Sequence, residues 1–272
     1  MSTKAVYGLL LTILLPLAAY FSLKITSEGA VVMPKHYLPD SVVAATKNGK
    51  KFSDTAWHTV PDFRFTNQYN NVVTWDSLKD QIVVANFFFT HCPTICPRMT
   101  LNMKLLQDSI KSNDKVGNRE ARFIHFLSFS IDPERDSAHA LKKWADRFQI
   151  NPLNWDLLTG PKKEIYDLSI NDMKLMAQDG GPVDSNFIHT DYFVLIDRNR
   201  NVRGYYHGLN DDDIRRLSRD IVLLALEKDP KKKSVFSGQL ELLAIIFTIA
   251  AIAVILLVIY MKKDRKGKWA LS

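Results

Sequence analysis

The chain has two cysteines among its 272 residues, Cys92 and Cys96. They stand four apart in Asn86-Phe-Phe-Phe-Thr-His-Cys-Pro-Thr-Ile-Cys-Pro-Arg98. As thiolates on one helical turn, two such sulfurs suit a soft metal ion, Cu(I) above all. Oxidised, they can close a disulfide, because four helical residues rise about 6 Å, inside the Cα separation a disulfide accepts. Zinc is disfavoured, since a structural zinc site takes four protein ligands and no second cysteine pair exists. A purely structural disulfide, or two inert buried thiols, is the plainer alternative. The flanking elements favour chemistry. Gln81 to Phe89 is an apolar run that reads as a buried strand, and Met99 to Ile110 carries apolar residues at helical spacing. Pro93 suits a first helical position and Pro97 is tolerated within the first turn, so the helix is expected to start near Cys92. The positive end of a helix favours thiolate over thiol there.

Of the seven histidines, His189 is the one that can complete such a site. It follows Gly180-Gly-Pro-Val-Asp-Ser185 and precedes the strand Tyr192 to Ile196, so a loop can carry a neutral imidazole over the cysteine helix as a third Cu(I) ligand. His91, next to Cys92, ranks below His189 as a ligand and is expected instead to tune the thiol. Met99 and Met103 are read as core side chains. Asp132-Pro-Glu-Arg-Asp136 presents charge at a loop, either to a partner or, through Asp136, as a helix cap. Tyr205, Tyr206 and His207 suggest no chemistry.

Positioning these residues falls to a domain expected over 57–227, long enough to bury its own core. Phe63 to Phe65 and Val72 to Thr74 read as short paired strands, Arg122 to Ile131 as a strand, and Ala138 to Phe148 as a helix with Leu141, Trp144, Ala145 and Phe148 on one face. A short helix begins near Ile165. Asp191 to Asp197 and Val202 to Tyr206 form a hairpin, and Asp211 to Leu226 is a last amphipathic helix. The order implies an α/β sandwich with a parallel central pair and an antiparallel C-terminal hairpin.

Outside the domain, Ala5 to Leu23 and Leu242 to Met261 are apolar and long enough to span a bilayer. The expected organisation is an anchor over 1–23, an extended tether with some strand character over 24–56, the domain, a basic linker over 228–241, a second transmembrane helix over 242–261 and a basic tail over 262–272. Both termini then lie on one side of the membrane and the domain on the other. A managed cysteine pair favours the periplasmic side of the inner membrane. The net charge is +7, and setting aside residues 1–23 and 238–272 leaves +3. That is too mild to argue for nucleic acid.

Three segments, Phe89-Thr-His-Cys-Pro-Thr-Ile-Cys-Pro97, Ser130-Ile-Asp-Pro-Glu-Arg-Asp136 and His189-Thr-Asp-Tyr-Phe-Val-Leu-Ile-Asp197, stand in this order. With them the chain resembles the Sco/SenC family of membrane-anchored copper-binding proteins. The resemblance implies a thioredoxin-like fold with an inserted hairpin and a copper site of Cys92, Cys96 and His189. It also implies delivery of copper, as Cu(I) or Cu(II), to the binuclear copper centre of a cytochrome c oxidase subunit, or thiol reduction there. Two departures stand out: Ile188 replaces an aspartate common before the histidine, and a C-terminal span is added. The leading expectation is a metallochaperone. A membrane-tethered thiol–disulfide reductase is the close rival, using Cys92 and Cys96 as a redox pair without His189. A peroxiredoxin-like peroxidase fits poorly, with Phe89 and Pro93 at the positions, three before each cysteine, where a Thr or Ser is expected. A copper or redox sensor is a further reading. An extracytoplasmic pair also implies a thiol reductant of thioredoxin type to keep it open.

Overall fold

Alternating apolar runs and amphipathic helices build one mixed sheet with helices packed against it. The computed structural model describes residues 32–47, 50–110, 123–175 and 190–227, together with Ser22; these fall almost wholly in the compact unit Met33–Glu227. His189, the linker 228–241, the tail 262–272 and both proposed spans, save Ser22, lie outside the described residues. Among those described, no helix is long and apolar enough to cross a membrane.

The first strands, β1 (Pro39–Lys47) and β2 (Lys50–Trp57), pair antiparallel as a sheet of their own. The tether of the sequence reading thus holds a regular hairpin. The main sheet contains β3 (Phe65–Asn67), β4 (Val72–Val73), β5 (Ile82–Phe88), β6 (Ile124–Ser130), β7 (Trp155–Thr159), β8 (Tyr192–Ile196) and β9 (Val202–His207), in the order β4-β3-β7-β6-β5-β8-β9. β5, β6 and β7 run parallel; β8 and β9 add antiparallel on one side, β3 and β4 on the other. The parallel set therefore has three strands rather than the expected pair. β5 and β6 are buried along their whole length, as strands covered on both faces must be.

The α-helices of the described residues that pack on the main sheet are α1 (Ile95–Ser109), α2 (Ala138–Arg147), α3 (Lys162–Asp167) and α4 (Asp211–Leu226). The sheet face bearing Phe88 and Ser128 meets α2 through Trp144 and α1 through Met103. Trp144 Nε1 donates to Thr100 Oγ1 and joins the two helices. The opposite face, with Phe87 and Phe129, is covered by Phe63, Phe65 and the turn containing Trp75. Met99 and Met103 are fully buried core residues, as expected. The arrangement sets the β5–α1 junction at the middle of the sheet, at a strand's carboxyl end, where open α/β sheets place ligands.

Candidate functional site

The cysteines occupy the β5–α1 junction, but the helix begins three residues later than the prolines suggest. Cys92 N–H donates to Phe89 O at 3.3 Å, closing a turn. A residue before proline is biased away from helical backbone, so Pro93 keeps Cys92 out of the helix; Thr94 is the N-cap residue and Pro97 the third helical residue. Thr94 makes no side-chain cap bond. Its place is taken by Cys92 Sγ, which accepts from Cys96 N–H at 3.4 Å. One sulfur thereby satisfies a helix donor that otherwise has no partner.

Both thiols are buried, Cys92 at 4% and Cys96 at 3% exposure, and no disulfide joins them. Cys96 opens on a small cleft lined by Phe88, Phe89, Ile95, Ile131 and Thr190. Burial is the main cause that pushes the Cys96 thiol up to about 12; a backbone hydrogen bond from Phe89 opposes it, while Cys92 and the Asp136 carboxylate add to the rise. The two sulfurs share one environment. Each is buried and each takes a backbone N–H, Cys92 from Cys96 at the helix start and Cys96 from Phe89.

Behind the cysteine turn lies a carboxylate whose role the sequence did not disclose. Asp136 does not cap α2; Ser137 does, accepting from Ala140 N–H. Asp136 is completely buried. It accepts from Thr90 N–H at 3.0 Å, from Thr90 Oγ1 at 2.5 Å and from Ser130 Oγ at 2.6 Å. The β6–α2 loop is thereby tied to the turn that presents Cys92. His91 extends outward from this network, with Nδ1 at 3.1 Å from Thr90 Oγ1 and its side chain 57% exposed. The one signal available was Ser130 at the end of a strand, with Asp136 in the charged loop that follows.

Among the described residues, no three His, Cys, Asp or Glu side chains converge to hold a metal. These residues therefore supply a pair of sulfur donors. Thr190, the neighbour of His189 in the chain, is buried in the cleft beside Cys96. It accepts from Tyr192 N–H, while Asp191 O accepts from Gly208 N–H at 2.6 Å and the Asp191 carboxylate contacts His207 Nδ1 at 3.0 Å. A side chain at Gly208 would collide with Asp191 O.

The chain is 35% identical over 170 residues to the SCO1 protein homolog of Bacillus subtilis, covering 61% of this chain and 84% of that one. Among solved structures, a SCO1/SenC family lipoprotein from Bacillus anthracis is 33% identical with a TM-score of 0.52, over 62% of this chain and 95% of the other. BsSco, described as a cytochrome c oxidase assembly protein of the Sco family with a disulfide switch, is 31% identical with a TM-score of 0.52, over 64% and 98%. The fold is thus the thioredoxin-like fold of the Sco structures. With the SCO1/SenC family model matching residues 53–224, across both cysteines and the strands that seat them, the chain belongs to the SCO1/SenC family.

Proposed function

We propose that this protein is a copper-binding metallochaperone that supplies the binuclear copper centre of a cytochrome c oxidase, holding copper through Cys92, Cys96 and His189. The observation that carries the reading is the pairing of two thiols at the first turn of α1, with Cys92 Sγ already drawn onto Cys96 N–H. Two thiolates are soft donors matched to Cu(I), and a neutral imidazole completes a three-coordinate set. The position of Thr190 in the Cys96 cleft supports His189, one peptide away, as the third donor. Membership of a family that includes BsSco supports the oxidase as recipient. The domain is proposed to stand in the periplasm between spans at 5–23 and 242–261.

Two free thiols four residues apart at the start of a helix support a second activity, thiol–disulfide exchange. Closing the Cys92–Cys96 disulfide releases two protons and two electrons to a disulfide on the partner, which is reduced to two thiols. A thioredoxin-type reductant must then reopen the pair. The disulfide switch described for BsSco supports this reading.

Anaerobic titration of the reduced full chain in detergent with Cu(I), against a competing chelator, separates the two. The chaperone reading expects one tight copper per chain. In His189→Ala it expects a loss on the order of 100-fold, at least what removing an outer-shell partner costs. Binding indifferent to His189 would leave the reductase reading in its place.

A further inference from the structure

Copper arrives held by a donor, and it leaves that donor by ligand exchange. Both receiving sulfurs are buried, at 4% and 3% exposure, so the first contact must come from a group outside them. Directly before Cys92 stands His91, its side chain more than half exposed, with Nδ1 turned to Thr90 Oγ1 at 3.1 Å and to Asp136 Oδ1 at 3.7 Å, which leaves Nε2 as the other nitrogen.

The direction of each bond follows from donor counting. An ionised carboxylate only accepts, so across 2.5 Å it is Thr90 Oγ1 that donates to Asp136 Oδ1. A hydroxyl has one hydrogen, and this one is now used. Across 3.1 Å Thr90 Oγ1 can therefore only accept, and the proton in that contact belongs to His91 Nδ1. In the neutral imidazole with Nδ1 protonated, Nε2 carries the lone pair. Metal-binding histidines are prepared in this way, by an outer carboxylate or its relay that fixes the tautomer.

We propose that His91 is the entry ligand for copper, with its Nε2 lone pair turned outward by Asp136 acting through Thr90. The inference rests on the copper reading above and deepens it. Copper exchanges first onto Nε2 and then onto the two sulfurs, each thiol giving its proton to solvent as it binds. Asp136 and Thr90 are positioning residues in this scheme, and His91 does not belong to the final site.

The test follows anaerobic copper transfer from the Cu(I)–bicinchoninate complex to the reduced full chain by stopped flow, together with the equilibrium constant against the same chelator. His91→Ala is expected to slow loading on the order of tenfold, the lower end of the loss from one metal-directed contact, while leaving the equilibrium constant unchanged. Asp136→Asn places an N–H toward Thr90, whose hydroxyl then donates to His91. Nitrogen-15 spectra should show the His91 proton moving from Nδ1 to Nε2, with loading slowed as in His91→Ala. Thr90→Val, which deletes the relay hydroxyl, serves the same purpose if Asp136→Asn does not fold. Loading at the wild-type rate in His91→Ala overturns the entry role. A fall in affinity equal to the fall in rate also overturns it, by making His91 a ligand of the final site. If the wild-type chain takes up no Cu(I) at all, the copper reading itself fails, and the entry role falls with it.

Discussion

At the scale of single residues, Cys92 has two tasks that can be separated by substitution. Its sulfur is proposed to bind copper, and it also accepts the Cys96 N–H at the start of α1. Serine keeps an acceptor at that point and alanine does not. Loss of an N-terminal cap costs about 1 kcal/mol. Cys92→Ala is therefore expected to lower the stability of the metal-free chain by about that amount, with Cys92→Ser close to wild type, as read from urea midpoints. Both should abolish Cu(I) binding. Equal stability of the two variants would show that the sulfur is a bystander at the helix start. The sequence made Cys92 and Cys96 legible because their signal is local: a buried run, two thiols and two prolines. Asp136 was not legible in the same way, because its partner Thr90 lies 46 positions away and no spacing rule connects them.

Between elements, the interface of β9 with α4 carries a pH dependence of defined sign. Tyr206 Oη donates to Asp220 on α4 at 2.7 Å. Burial first, and then the hydrogen bond and charge of Asp220, push the Tyr206 phenol well above its ordinary value. A phenol with a raised folded pKa contributes stability in full below the unfolded value of about 10, and that contribution is lost as pH rises beyond it. The metal-free chain should therefore lose stability steadily above about pH 10, and Tyr206→Phe should show a shallower decline across that range. Identical slopes in chemical denaturation would rule Tyr206 out as the source. This helix was legible to the residue, Asp211–Leu226, because its period is uninterrupted and Asn210 caps it by accepting from Asp212 and Asp213 N–H. β7 was missed for the opposite reason. It has five residues, and Asp156, its second, is buried with distant Asn67 and His125 bonded to its carboxylate. Helix α1 falls between these cases: its body was visible, while its start depended on how a proline biases the residue before it.

On the scale of the whole domain, one buried arginine fixes where the chain enters and leaves. Arg203, 3% exposed, donates through Nη1 to Asp197 at 2.9 Å and to Glu227 at 2.8 Å. Its Nη2 donates to Pro34 O at 2.7 Å. Pro34 and Glu227 lie at the two ends of the unit Met33–Glu227, so both are held by the same guanidinium. Asp197 follows β8 at the end away from Thr190. Seven residues of roughly 3.3 Å each put roughly 23 Å between this clamp and the cysteine end of the sheet. Stability and metal binding should accordingly respond independently. Arg203→Ala leaves the buried Asp197 carboxylate without its cation, a change that costs about 3–5 kcal/mol. Arg203→Lys restores a charge without the planar fork and should recover part of that loss. Urea unfolding followed by tryptophan fluorescence checks the first expectation, and Cu(I) stoichiometry below the unfolding transition checks the second, which should remain at the wild-type value. A loss under about 1 kcal/mol would place the cluster with solvated surface pairs, and a loss of copper in still-folded protein would show that the two ends of β8 act as one unit.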